Sequence, residues 1–373
     1  MFLIILFSTA IILSSGLTSL VRFFAVKLNI QDYPASPRKN HSLPTPLLGG
    51  VAIFLAVLGS LILLFWWNRH LVQSCKLVGE VTSCGTASGW SIVGGILLGA
   101  FILTIGGILD DKYNLKPRQQ IIWPILAIAT VILAGVGQDN ITNPLYYVGL
   151  SADPLLHLKV WTIHLFGLEI TMLTDLFTFI WLFLLIYVTK FLDGLNGLVP
   201  GIIVIGALIL FVTSLSLGQT LPAVLSLIVA GAYLGFLPFN FFGKIFLGEA
   251  GSTLAGFLIG VLAILGPAKI SITFLILGIP ILDACWVIYE RLVKAGKSPF
   301  QGDTRHLHFK LLKQGLTSRQ TVLLLWLISL LFGLLGIFLQ GWEQGILWLA
   351  LVALMAILIR LTRSPKPKSQ NFA

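Results

Sequence analysis

The stretch Trp90–Asp111, WSIVGGILLGAFILTIGGILDD, runs from Trp90 to Leu109 without a charge and then sets two aspartates side by side. About 20 apolar residues wound as a helix rise about 30 Å, the thickness of a bilayer's hydrocarbon core. Comparable apolar segments extend from it in both directions almost end to end, separated by short polar connections. Of the 373 residues 57% are hydrophobic and 10% charged, and the mean hydropathy is +0.97. That usage excludes a soluble globular protein and leaves no room for a sizeable soluble domain.

The pattern predicts an all-α polytopic membrane protein, a single integral membrane domain over 1–373 with about eleven transmembrane helices. The expected spans are 2–21, 47–67, 90–109, 120–136, 172–189, 198–216, 219–237, 251–265, 270–288, 321–339 and 345–361. The first is read as a retained helix, because no basic residue precedes it and no small-residue cleavage site follows. With the N-terminus outside, twenty of the 24 Lys and Arg residues fall on the inner side, against Arg69, Lys76, Lys159 and Lys269 outside. The positive-inside bias therefore predicts an outer N-terminus, a cytoplasmic C-terminus and a multi-pass protein of the cell membrane. The net charge of +10 becomes an orientation signal and a surface for anionic headgroups, with no basic stripe of the kind that binds nucleic acid.

The connections carry less information. Cys75 and Cys84 share one outer loop, where pairing depends on geometry that spacing does not give, and Cys285 reads as an apolar filler. The outer loop 137–171 has the turn signals and β-branched residues of a short hairpin. Residues 289–320 form a cytoplasmic loop containing histidines, and 364–373 read as a disordered tail. No internal repeat of fixed period is present.

Under this topology the polar residues gather at one membrane face: Asp110 and Asp111, Asp193 and Asn196, Lys244 and Glu249, and Arg305, His306 and His308. Each has an ordinary reading. Asp110 and Asp111 could be interfacial charges, although acids at a helix C-terminus oppose the macrodipole; Asp193 in DGLNG could be a plain turn. Their company favours chemistry. Several carboxylates brought together by helix packing suit Mg²⁺, which takes one or two carboxylates plus phosphate oxygens. Glu249 stands between Gly248 and Gly251, where backbone can approach a ligand, and the following STLAGF would open a helix suited to phosphate. His306 and His308, spaced i, i+2 among basic residues, suit an anionic or sugar-bearing substrate better than zinc. The proline-rich loop 32–50 carries Arg38, Lys39 and His41, either as an ordered basic loop or as a headgroup contact. Asp283, inside a predicted helix after Pro280, is a functional candidate or a partner for backbone freed by the proline.

These residues stand in RKNHSLPTPLLGG, GILDDKYNLKP, KFLDGLNGL, FNFFGKIFLGEAGSTLAGF and DTRHLHFKLL, in that order. Taken together, the chain resembles the polyprenyl-phosphate N-acetylhexosamine-1-phosphate transferases of the glycosyltransferase 4 type. It is similar to their UDP-N-acetylglucosamine:undecaprenyl-phosphate branch, rather than to the muramoyl-pentapeptide branch with its triple histidine. The resemblance implies transfer of N-acetylhexosamine-1-phosphate from a UDP-sugar to a polyprenyl phosphate, with UMP leaving, Mg²⁺ or Mn²⁺ as cofactor, and a homodimer. Asp110, Asp111 and Asp193 would be catalytic, and Glu249 and Asp111 would hold the metal. Substrate contacts would come from Arg38, Lys39, His41, Lys190, Asn196, Asn240, Lys244, Arg305, His306 and His308.

The chain departs from the family pattern at Glu249 and Asn196, where aspartate is usual, at Lys190, where asparagine is usual, and at Phe309, where a third histidine stands. Arg305 is also one place nearer the histidines than in the branch pattern. A covalent aspartyl route is an alternative to direct attack by the lipid phosphate. A transporter would need ionisable groups near the bilayer midplane or symmetry between halves, and a non-catalytic family member is a third reading.

Overall fold

The computed structural model describes residues 1–34, 43–67, 89–143, 146, 150–165, 168–265, 269–294, 305–339 and 341–362. The loop residues Arg38, Lys39 and His41, the cysteines Cys75 and Cys84, and the tail 364–373 lie outside them. Among the described residues eight helices are long and apolar enough to cross a membrane: α1 (Phe2–Lys27), α2 (Gly49–Trp67), α3 (Gly89–Tyr113), α6 (Met172–Leu192), α7 (Leu198–Ser216), α8 (Thr220–Phe241), α13 (Ser318–Phe338) and α14 (Trp342–Leu361). Two further predicted spans are shorter apolar helices, the pair α4 (Pro117–Gln120) and α5 (Ile122–Leu133), and α9 (Gly248–Ile264).

The predicted span 270–288 is broken. Lys269–Ile276 (α10) and Gly278–Tyr289 (α11) meet at a bend of 68°. Pro280 has no N–H to give to the carbonyl a turn before it, which is the usual origin of such a break. Counted as one span, the pair brings the total to nine, fewer than the eleven expected. The shortfall follows from length: the 17 residues of α9 rise only about 25 Å as a helix.

Helix α9 is the centre of the molecule. Every one of its residues except Glu249 is buried, as expected of a helix apolar on all sides. It packs on α2, α3, α6 and α7, and its neighbours supply donors to its backbone carbonyls. Trp181 Nε1 donates to Gly260 O at 3.0 Å, Thr189 Oγ1 to Ser252 O at 2.8 Å and Tyr233 OH to Gly251 O at 3.1 Å. In a bilayer such polar bonds replace the water those groups would otherwise need. Near the Asp111 end, α3 comes so close to α9 that a side chain at Gly107 would run into the backbone of Ala250.

Short strands tie the connections. β1 (Gln31–Asp32) pairs antiparallel with β2 (Thr45–Pro46), and the chain after β2 is bonded to the segment leading into α9. Phe246 N donates to Pro46 O at 2.8 Å, and Gly50 N donates to Leu247 O at 2.9 Å. Within 137–171 lie two antiparallel ribbons, β3 (Asn140–Thr142) with β4 (Leu155–His157) and β5 (Thr162–Leu165) with β6 (Leu168–Thr171). Lys269, counted among the outer-loop cations, is instead fully buried at the start of α10.

Candidate active site

Adjacent residues on a helix point about 100° apart, and Asp110 and Asp111 at the end of α3 use that divergence. Asp110 turns toward α4, where its Oδ1 accepts Leu115 N at 2.7 Å and Gln120 Nε2 at 3.0 Å; Oδ2 lies 3.1 Å from the same Gln120 nitrogen. Asp111 turns toward α9 and accepts Glu249 N at 2.9 Å. Its second oxygen, Oδ2, is buried without a hydrogen-bond partner. The charge that opposes the dipole of α3 therefore sits at the favourable N-terminal end of α9. Gly248 makes the approach feasible: it adopts φ +73°, and a Cβ there would stand 2.5 Å from Asp111 Oδ2.

Glu249 lies one turn into this contact, and its carboxylate pairs with the Lys190 ammonium from the end of α6. Lys190 Nζ also donates to Gln120 Oε1 at 2.9 Å and lies 5.8 Å above the Tyr187 ring. Gln120 thus presents its carbonyl to a cation and its NH₂ to a carboxylate, which closes a circuit Glu249, Lys190, Gln120, Asp110. The circuit walls a cleft of about 320 Å³ whose other lining includes Tyr187, Trp123, Pro124, Leu103 and Ile186. A lining that mixes charged groups with apolar and aromatic ones suits a substrate that is itself half polar and half lipid.

Asp193 leaves the helical conformation as the C-cap of α6. Burial, and secondarily the negative charge of Glu249, push its carboxyl up to about 7. The charges of Glu249, Asp110 and Asp193 all act on Asp111, so four acids share one electrostatic field. A carboxyl shifted upward holds an extra proton in the folded state between about pH 4 and its folded value, so stability falls as pH rises through that window. We expect the thermal midpoint of the metal-free protein in detergent to drop between about pH 4 and pH 7. Asp193→Asn should flatten that slope in a fluorescence melt, and an unchanged slope would refute the assignment.

The remaining predicted residues divide. Asn196 is exposed and lies beside Gly243, and the following residue, Lys244, is exposed as well. Asn240, expected to touch substrate, is buried with both amide atoms engaged: Gly197 N donates to Oδ1 at 2.7 Å, and Nδ2 donates to Ile245 O at 3.0 Å. It fastens the Asp193–Gly197 turn to the segment before Glu249. The start of α9 is likewise not the open phosphate cradle expected. The helix begins at Gly248, the Glu249 N–H is spent on Asp111, and Thr253 Oγ1 folds back on Glu249 O at 2.7 Å.

Arg305 is part-buried at the head of the segment that carries the histidines. His306 and His308 are both buried, their rings parallel within 6° at 5.7 Å. Burial, reinforced by His306, pulls His308 down to about 4, so it is a neutral ring near pH 7. It packs against Gly194, beside Asp193. Sequence reading overlooked Gln120 and Tyr187. Gln120 sits in KPRQQ, which reads as interfacial surface, and Tyr187 sits in an apolar span; neither position carries a local signal of its partners.

A multi-helix membrane protein with clustered acids, a paired lysine and a half-apolar cleft at one end of its bundle is the class that fold and site define. The chain belongs to glycosyl transferase family 4, whose model matches residues 93–267. It is 30% identical to a Bacillus subtilis (strain 168) protein described as a probable undecaprenyl-phosphate N-acetylglucosaminyl 1-phosphate transferase, over 92% of this chain and 86% of the relative. It is 31% identical to a decaprenyl-phosphate N-acetylglucosaminephosphotransferase of Mycolicibacterium smegmatis, over 87% and 79% respectively. An undecaprenyl-phosphate alpha-N-acetylglucosaminyl 1-phosphate transferase of Pasteurella multocida is 29% identical over 85% and 81%.

Proposed function

We propose that this protein transfers N-acetylglucosamine-1-phosphate from UDP-N-acetylglucosamine to a polyprenyl phosphate and releases UMP. The observation that carries the reading is the cleft itself, which Asp110, Lys190 and Glu249 line together with apolar and aromatic side chains. The relatives' names supply the lipid and the sugar. A lipid phosphate oxygen attacks the sugar-proximal phosphorus, the bond from that phosphorus to the bridging oxygen breaks, and the bridging oxygen leaves with UMP. Asp110, held by Leu115 N and Gln120, orients the lipid phosphate and takes its proton where one is present. The exposed Asn196 and Lys244 contact the nucleotide, and His306 serves the diphosphate. Positioning and charge compensation of this kind account for most of the work in phosphoryl transfer.

Among the described residues no group of three or more His, Cys, Asp or Glu side chains is arranged to hold a metal ion. The donor set nevertheless suits Mg²⁺, which needs only one or two carboxylates when substrate phosphates complete its shell. Asp111 Oδ2 is a buried oxygen awaiting a partner, and Glu249 is the adjacent carboxylate. When bound, the ion would neutralise diphosphate charge. Lys190 compensates the charge of Glu249.

The positive-inside bias supports a cytoplasmic site, an outer N-terminus and eleven passes, with the short α9 crossing inside the bundle; buried Lys269 removes one of the four opposing charges. A transporter gains no support from Asp283, because both its oxygens are engaged by the histidine segment. The test is UMP release by purified protein from UDP-N-acetylglucosamine, with and without undecaprenyl phosphate and Mg²⁺. Release that needs both supports the proposal, and none across a panel of UDP-sugars and prenyl phosphates overturns it.

A further inference from the structure

Asp283 lies in the second turn of α11, beyond the break at Pro280. Its carboxylate is buried, and both oxygens are engaged by one short segment 23 and 24 residues further along the chain. Oδ2 is 2.8 Å from His306 Nδ1, and Oδ1 accepts Leu307 N at 2.8 Å. His306 is the N-cap of α12 (Leu307–Lys313), so a single side chain fixes both where that helix begins and how the imidazole turns. A carboxylate accepts and does not donate, so the shared proton sits on Nδ1 and Nε2 is the nitrogen left for other work.

The ring so fixed packs against residues that neighbour the site's lysine and Asp193. His306 stacks on Phe191 at 6.0 Å, one residue after Lys190, and on His308, which itself abuts Gly194 beside Asp193. A buried acid behind one ring nitrogen is the arrangement by which proteins select an imidazole's tautomer and aim. We propose that Asp283 is a positioning residue for the transfer reaction, acting through His306 by holding its Nδ1 proton and presenting Nε2 to the donor's diphosphate. The inference rests on the functional reading above, in which His306 serves that diphosphate.

The substitution that separates positioning from support is Asp283→Asn. It keeps an oxygen for Leu307 N–H and keeps shape, but its NH₂ faces His306 Nδ1 and drives the ring proton to Nε2. We expect kcat/KM for UDP-N-acetylglucosamine to fall at least about 10-fold while the thermal midpoint stays within a few degrees. A ¹⁵N spectrum of labelled histidine should show one ring changing tautomer. In a His306→Gln background, where the amide can still donate to Asp283, activity should already be lowered and Asp283→Asn should lower it no further.

Wild-type activity in Asp283→Asn, or losses that multiply in the double variant, would overturn the inference while leaving the transferase reading intact. If Asp283→Asn does not fold, His306→Gln decides: full activity there overturns the inference, and a loss of similar size with a native melt supports it. A wild-type protein inert toward every donor would remove the functional reading, and this inference with it.

Discussion

Glu249→Ala lowers UMP release by roughly 10³-fold, the scale on which a single charge-compensating group in a phosphoryl or acyl transfer site contributes. The carboxylate is the partner of Lys190, and its own backbone N–H is bonded to Asp111, whose Oδ2 is buried and unpartnered. Without it one of the two proposed metal donors is gone, and the Lys190 ammonium is left with Gln120 as its hydrogen-bond partner. It would then be free to turn toward Asp110 or Asp111 and occupy the region a substrate phosphate needs. Glu249→Gln isolates the charge, since it preserves length and the Glu249 N–H bond to Asp111. We expect a loss nearly as large as for alanine, and Glu249→Asp should retain part of the rate, because its charge remains one methylene short of Lys190. A wild-type rate in Glu249→Gln, with Mg²⁺ still required, would place the metal elsewhere.

Asp110→Asn is the second large effect, about 10² to 10⁴-fold, the usual contribution of a positioned acid or base. Asp110 accepts N–H groups from both Leu115 and Gln120. An asparagine must point its NH₂ at one of these donors. If Gln120 flips to relieve the clash, it turns its own NH₂ toward Lys190, and the frustration moves along the circuit. The prediction is therefore specific: kcat falls, KM for polyprenyl phosphate rises, and KM for the UDP-sugar changes little. Steady-state rates with each substrate varied in turn would check it. A loss confined to the UDP-sugar's KM would assign Asp110 to the nucleotide side of the cleft. Gln120→Leu is the companion measurement, because it breaks the circuit and leaves the Asp110 charge in place.

Much was legible before any packing was known. A span such as Trp90–Leu109 declares itself by composition, because hydrocarbon tolerates only backbone that satisfies its own hydrogen bonds. The acids at the end of α3, the DGLNG turn and Glu249 stand out because polar groups are rare in such a chain and mark where a lipid and a soluble substrate can meet. Motif order carried the family resemblance, which the relatives support. Local signals failed where a residue's role depends on its neighbour across the bundle. Asn240 looked like a ligand contact and proved to be a clasp between two turns. Lys269 looked like a surface cation and is fully buried.

The sequence by itself determined the class of protein, where its helices lie and which acids gather at one end. Those properties are local, set by hydropathy and by residue type at helix ends. Only the tertiary structure decided that Lys190 answers Glu249 and Gln120, that Asp111 reaches the first turn of α9, and that Asp283 holds His306. Lys190 and Gln120 are 70 residues apart, and Glu249 and Asp111 are 138. Pairings at that separation have no periodicity to reveal them. They arise when small residues such as Gly107 and Gly248 let backbones close to within a side chain's reach, and where helices pack closely enough to exclude water most buried polar atoms take the partner that packing puts beside them.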